Sequence, residues 1–429
     1  MSSLHTSPQS VSTPSGPLPG YRWLILVLSW AAFLMTSLDR SVWGPAAPSV
    51  GGDLGVALSS LGVFATCYYV GYVVSNFLGG VASDWFGPRA VLGGSILVAG
   101  AGMVTFGNVH SMALGFVIQA LVGLFAGADY AAGAKSISVW FSGRERALAV
   151  SLFTTATSLG TVIANLVVPT LIKSHGWRVS YELFGSISIV LGIVILILHR
   201  NAPGATGAEA AGASAAVPST AVGAETGPGA QPKHPFPNLL DVLRNRNLLI
   251  LAVAGFFSLW GTYGFITWAN TLMIKGVGID PVHAGVVVSL FAITAVVCKP
   301  IIGFIDGRTK FHSKYLAAGI LLMFSIMLLI FGRLHDLTLF YIAAPFLGFA
   351  AYCYSPIQNN LILGYAGRGL SGSSAGSINA IWQLGSVIVP TAVGAVFSAT
   401  DSVYASFTTL AAGPLLAALL MLPLGAVKR

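Results

Sequence analysis

Apolar runs of about 19–27 residues recur along nearly the whole chain, separated by short polar or glycine- and proline-containing breaks. A run of that length crosses a hydrocarbon core about 30 Å thick as a helix. The pattern predicts twelve spans, at about 22–47, 58–80, 90–108, 112–140, 147–172, 178–199, 248–274, 281–303, 315–333, 337–362, 371–397 and 401–425. One long stretch, NAPGATGAEAAGASAAVPSTAVGAETGPGAQPKHPFP from Asn201 to Pro237, interrupts this rhythm. It is rich in Ala, Gly, Pro and Ser, cannot bury a core and reads as a flexible linker. The expected organisation is an all-α membrane protein of twelve transmembrane helices in two pseudo-symmetric six-helix bundles. A disordered tail covers 1–20, the first bundle 21–200, the linker 201–238, the second bundle 239–425 and a short tail 426–429. Two such halves imply a substrate site near the midplane between them.

Composition agrees with the lipid bilayer as solvent. Only 8% of the 429 residues are charged and 55% are hydrophobic, against about 25% charged in soluble domains. The net charge of +8 does not mark a nucleic-acid surface, because of how it is distributed. Fourteen basic residues, from Arg22 and Arg89 to Lys428 and Arg429, fall in the loops and tails on one side of the predicted membrane, against Lys173, Arg178, Lys275 and Arg333 on the other. This bias places both termini in the cytoplasm of a multi-pass protein of the cell membrane. The first twenty residues carry no Lys or Arg and lack the basic start of a signal peptide. Cys67, Cys298 and Cys353 are isolated, and the eight histidines show no metal-ligand spacing, so no metal or other cofactor is expected. No nucleophile–base pair or phosphate loop points to an enzyme.

The chemistry lies in the few charges inside the apolar runs. Asp39 and Arg40 interrupt the first span in TSLDRSVWGP. Each costs roughly 2.5–3.5 kcal/mol at a bilayer centre and is functional by default. Adjacent helix positions point about 100° apart, so one is expected to face the central cavity and the other a neighbouring helix. Between the second and third spans GGVASDWFGPR places Gly80, Asp84, Gly87 and Arg89 at offsets 0, 4, 7 and 9. The glycines permit a sharp turn, and Asp84 either caps the third helix or pairs with a basic residue such as Arg144. The motif resembles the loop 2–3 signature of the major facilitator superfamily, with Pro88 in place of one usual basic residue, and GFIDGRTKFHSKYL repeats it weakly after the eighth span. The resemblance implies a gating latch on the cytoplasmic side and a carrier that works as a monomer.

A narrower likeness runs through SLDRSVWGPAAPSVGGDLGVALSSLG, YVVSNFLGG, VWFSGRERALA, LIKSHGWRVSYELFG and GSSAGSINAIWQLGSVIVP. These segments resemble the anion:cation symporter family. The likeness implies that Arg40 holds a substrate carboxylate and that Asp39 is a proton-coupling group, with protons as the coupling ion. In the fourth span the family's Arg and Glu slots hold Gln119 and Ala126, while Asp129 follows one turn nearer the cytoplasm. Asp129 either replaces the missing carboxylate or pairs with Lys135. With Arg40 then the one obvious cation, the substrate is expected to be a monocarboxylate. Lys299, near the cytoplasmic end of the eighth span, is expected to snorkel.

Polar, uncharged residues complete the expected cavity: Tyr72 and Asn76 on the second span, Trp268 and Asn270 on the seventh, Gln358, Asn359 and Asn360 on the tenth, and Asn379 and Gln383 on the eleventh. Such groups suit a sugar acid or a hydroxylated aromatic acid, and each alone equally suits an interhelical hydrogen bond. The expected function is secondary transport of a small organic anion by alternating access with proton symport. An exporter or exchanger of organic acids or drugs, and a non-transporting nutrient receptor on a carrier scaffold, remain as alternatives.

Overall fold

The computed structural model describes residues 20–201, 245–308, 313–366 and 371–425. Twelve helices in these ranges are long and apolar enough to cross a membrane, and no strand occurs among the described residues. Helix α1 is Tyr21–Asp53. A continuous helical stretch Leu58–Gly107 holds two spans, broken at Gly87 (φ 79°, ψ 153°) into α2 (58–86) and α3 (88–107). They are followed by α4 (Met112–Trp140, interrupted at Gly127), α5 (Gly143–His175) and α6 (Trp177–Leu198). The second half holds α7 (Arg246–Val277), α8 (Pro281–Arg308), α9 (Ser313–Phe331), α10 (Leu337–Ala366), α11 (Ser371–Thr400) and α12 (Val403–Met421). The sequence places α1 about six residues too short, because Pro45 and Pro48 lie inside the helix rather than ending it. Neighbouring helices and side chains supply what a proline takes from the backbone ladder of such a span. The linker beyond Asn201 and both tails lie outside the described residues.

The turn at Gly87 is fixed from both sides. Its positive φ is a region that side-chain-bearing residues rarely enter, and a Cβ there would stand 2.6 Å from Asn201 Nδ2. Asn201 Oδ1 accepts from the Arg89 backbone N–H at 3.2 Å, and Arg89 Nε donates to Leu196 O at 2.8 Å. The guanidinium thus caps the carbonyl end of α6, where a helix carries its partial negative charge. Just beyond α6, His199 is fully buried and pairs through Nε2 with Ser136 Oγ of α4 at 3.1 Å. Burial, with Arg89 close by, pushes its pKa down to about 4, from about 6.5 in an unfolded chain. The unfolded state therefore binds the extra proton, so stability from this group is full above pH ~6.5 and is lost as pH falls toward 4. His199→Gln is expected to melt with a shallower decline across that window than the parent in detergent. Parallel melting curves from pH 7 to 4 would show that the buried imidazole contributes nothing.

Helices α1–α6 and α7–α12 pack as two groups that meet along α2 with α11, α5 with α8 and α1 with α7. Ties between them gather toward the face opposite the one where α1 begins and α12 ends, here called the terminal face. Thr66 Oγ1 bonds Val387 O at 2.7 Å and Thr391 Oγ1 at 2.8 Å. Asn270 Nδ2 donates to Asn165 Oδ1 at 2.8 Å, and Ser289 Oγ to Val162 O at 3.3 Å. Small residues let backbones approach in the same zone: a Cβ on Gly62 would lie 2.2 Å from Pro390 O, and one on Gly285 2.0 Å from Asn165 O. Among the described residues, these ties join the halves at the far face.

Candidate functional site

Arg40 sits on α1 at the middle of this arrangement. Its guanidinium carbon lies 5.7 Å from the Tyr72 ring of α2 and 5.2 Å from the Tyr263 ring of α7, so aromatic faces from both halves flank it. Such contacts attract a cation without neutralising it. Its polar contacts are slight: Nη2 reaches Ser37 Oγ at 3.4 Å on its own helix, and the buried Nε has no hydrogen-bond partner. Among the described residues no carboxylate lies within ion-pair distance of it. A cavity opens beside it, lined by Asp39, Arg40, Tyr68, Tyr69, Gln119 and Thr267 among others. Unengaged guanidinium donors and a positive charge with no carboxylate partner among the described residues make a site for an anion.

Asp39 departs toward a different neighbour, as two adjacent helix positions must. It is 4% exposed, and its Oδ2 accepts from Ser188 Oγ of α6 at 3.4 Å, while Oδ1 is buried without a partner. Asp129 is fully buried and accepts hydrogen bonds from Thr36 Oγ1 of α1 and Ser95 Oγ of α3. Two carboxylates therefore lie inside one half, each met by hydroxyls rather than by a cation. Lys135, the alternative partner of Asp129, is engaged elsewhere. Its Nζ stands 2.5 Å from Asp84 Oδ1 and 3.0 Å from Ser83 O. Asp84, expected to cap the third helix or to pair with a basic residue such as Arg144, thus pairs with a lysine of α4, and the Arg144 side chain lies outside the described ones. Gly80 borders open space, and Gly87 and Arg89 tie the loop to the end of α6. The whole motif is held within its own half.

The remaining expected residues separate into two sets. Tyr72 lies at the Arg40 site, and Asn76, one turn on, donates to Tyr72 O at 2.9 Å. Trp268 is 2% exposed and its indole N–H donates to Pro390 O at 2.9 Å. It packs α7 on α11 rather than lining the cavity by Arg40, which on α7 is bordered by Ile266 and Thr267. Asn270 belongs to the seal with Asn165. Gln358 donates to Ser258 Oγ at 3.1 Å between α10 and α7. Asn379 is half-buried on α11, and Gln383, 8% exposed, accepts weakly from Ser386 Oγ at 3.5 Å. Sequence reasoning missed three tyrosines, Tyr68, Tyr69 and Tyr263, that wall the cation. The signal for the first two was the YY pair one turn before Tyr72. Lys299, expected to snorkel, holds its ammonium 5.0 Å over the Tyr352 ring of α10.

Known proteins resemble this chain over most of its length. It is 25% identical to the probable galactarate/D-glucarate transporter of Bacillus subtilis, over 97% of this chain and 95% of that one. It is 28% identical to the hexuronate transporter of the same organism, over 60% of this chain and 57% of that protein. The membrane sensor protein UhpC of Escherichia coli is 25% identical over 70% of each chain. Among solved structures, a bacterial homologue of the human lysosomal transporter Spinster, inward-facing and occupied, superposes with a TM-score of 0.77 at 13% identity, over 94% of this chain and 97% of that one. The family described as the Major Facilitator Superfamily matches residues 29–390. A match running from the first span to the eleventh, through both halves of a twelve-helix fold, makes this multi-pass membrane protein a member of the Major Facilitator Superfamily.

Proposed function

We propose that this chain is a secondary carrier moving a small organic anion across the membrane by alternating access, in symport with protons. One observation carries the reading: Arg40 is a guanidinium without a carboxylate partner among the described residues, set between the two halves at the cavity. A charge left so costly in a bilayer is explained by a partner that arrives and leaves. The relatives named for hexuronate and for galactarate and D-glucarate support an acid as that partner. Asp39 and Asp129 lie buried in the same half, met by hydroxyls, which fits carboxylates that exchange protons while the anion binds. By the positive-inside bias, the terminal face looks into the cytoplasm of a cell-membrane protein.

The test is uptake into proteoliposomes holding the purified full chain, with radiolabelled sugar acids and hydroxylated aromatic acids and an inward proton gradient. Accumulation that collapses with a protonophore is expected. Asp129→Asn should abolish that accumulation while anion exchange without a gradient persists, since the amide keeps the shape but cannot carry the proton. Intact gradient-driven accumulation in Asp129→Asn would end the coupling role of Asp129. Absence of any anion uptake by the parent would move the reading to a sensor, as one relative is named.

A further inference from the structure

The cavity beside Arg40 is walled by rings. Trp43 of α1 and Tyr68 and Tyr69 of α2 line it, with Ile266 of α7 between them and the second half. The rings continue behind this surface. Tyr68 and Tyr72, four residues apart, share one face of α2 and lie nearly parallel at 6.0 Å, while Tyr69 meets Tyr68 edge-on at 5.6 Å. Tyr69 in turn meets Tyr263 of α7 at 5.5 Å and 69°. Tyr72 and Tyr263 are the two rings over which the Arg40 guanidinium lies. Four tyrosines therefore run in contact from the first half to the second around the one cation that lines the cavity.

The amides expected to complete a polyhydroxy-acid site are engaged elsewhere. Asn76 donates to Tyr72 O, Asn270 to Asn165 Oδ1 and Gln358 to Ser258 Oγ. Among the described residues that line the cavity, neither these three nor Asn379 and Gln383 appears. The uncharged polar groups that do face it are Gln119, Thr267 and the tyrosine hydroxyls, of which that of Tyr68 is buried without a hydrogen-bond partner. A sugar ring also stacks on aromatic faces, but every hydroxyl on its rim that leaves water needs a new partner, and one left unpaired carries the full desolvation penalty. An aromatic ring makes no such demand. It packs on other rings in offset or edge-to-face geometry, the arrangement these tyrosines already adopt among themselves.

We infer that the substrate is a planar aromatic monocarboxylate, its carboxylate on the Arg40 fork and its ring against Tyr68 and Tyr69 in the shared cavity. The inference rests on the organic-anion reading above and chooses between the sugar acids and the aromatic acids that reading admits. A single cation in the wall matches a single carboxylate. The free hydroxyl of Tyr68 offers one hydrogen bond, enough for one polar substituent on the ring and too few for a polyol. The contact of Tyr69 with Tyr263 crosses between the halves, so a ring seated on Tyr69 extends a surface that both halves share.

The test compares uptake of three radiolabelled monoacids by proteoliposomes of the full chain: 4-hydroxybenzoate, cyclohexanecarboxylate, which has a six-membered ring and the same charge but no π face, and gluconate. The parent is expected to favour 4-hydroxybenzoate over gluconate about 10-fold or more, the cost of leaving a sugar hydroxyl unpaired. Tyr69→Leu is expected to lower the ratio of 4-hydroxybenzoate to cyclohexanecarboxylate uptake about 2- to 10-fold, the share of an aromatic contact beyond its buried area. Tyr69→Phe, which keeps the ring, should restore most of it. Melting temperatures check that both variants fold. Gluconate taken up as well as 4-hydroxybenzoate overturns the aromatic class, and so does an unchanged ratio in folded Tyr69→Leu. If uptake in either case is lost in Arg40→Met, the organic-anion reading stands without it. If the parent takes up none of the three acids and no other sugar acid, both readings fail together.

Discussion

Arg40→Lys is expected to cut uptake of the anionic substrate about 10- to 100-fold. The lysine keeps the charge and loses the planar fork, and a charge-assisted hydrogen bond contributes about 1.5–3 kcal/mol. Arg40→Met, which removes the charge too, should cut uptake about 100-fold or more, in line with the 2–5 kcal/mol typical of truncating one member of a buried charged pair. The same variant carries a second, opposite expectation. With no carboxylate partner among the described residues, the guanidinium is a cost to the empty protein, so Arg40→Met should melt at a higher temperature than the parent in detergent without substrate. An arginine that merely holds helices together would give the reverse. Wild-type uptake in Arg40→Lys would end the anion clamp, and a lowered melting temperature in Arg40→Met would recast Arg40 as a structural group.

Gly285→Ala should displace the balance of conformations, because the far-side seal has no room for a methyl group. Its Cβ would stand 2.0 Å from Asn165 O, and one on Gly62 would stand 2.2 Å from Pro390 O. Both obstacles are backbone atoms of the opposite half, which cannot turn aside as a side chain does. Overpacking of this kind costs about 1–3 kcal/mol, and each 1.4 kcal/mol is a factor of about 10 in population. The seal must part, so the state shown here loses ground to one open at the far face. Spin labels at Ala57→Cys and Thr400→Cys, exposed on that face in a background without the native cysteines, should move to longer separations in Gly285→Ala. An unchanged distance distribution would mean that the contact yields without moving the halves.

The twelve spans were legible because lipid demands length and apolarity, and both are written in a single strand of sequence. The loop glycines were legible for a similar reason: Gly87 needs a positive φ that few other residues tolerate. Partners were harder to read. Asp84 pairs with Lys135, fifty-one positions away, and nothing local to either residue announces it. Trp268 looked like a cavity aromatic, but its N–H found a carbonyl of α11, in a helix loosened by Pro390.

The surroundings of Asp129 set a clock. A hydroxyl both gives and accepts, so Thr36 and Ser95 can satisfy a charged carboxylate by donating and a neutral acid by turning one O–H around. A proton that reaches or leaves Asp129 therefore asks only for hydroxyl rotation, on the picosecond-to-nanosecond scale of side-chain torsions, whereas domains rock in microseconds to milliseconds. With a lysine or arginine in place of those hydroxyls, the proton's departure would lock a salt bridge between helices and make its return slow. In the proton-coupled carrier proposed above, a site built from hydroxyls leaves no such memory: the slow hand of the cycle would be the movement of the two halves, and the proton would follow it.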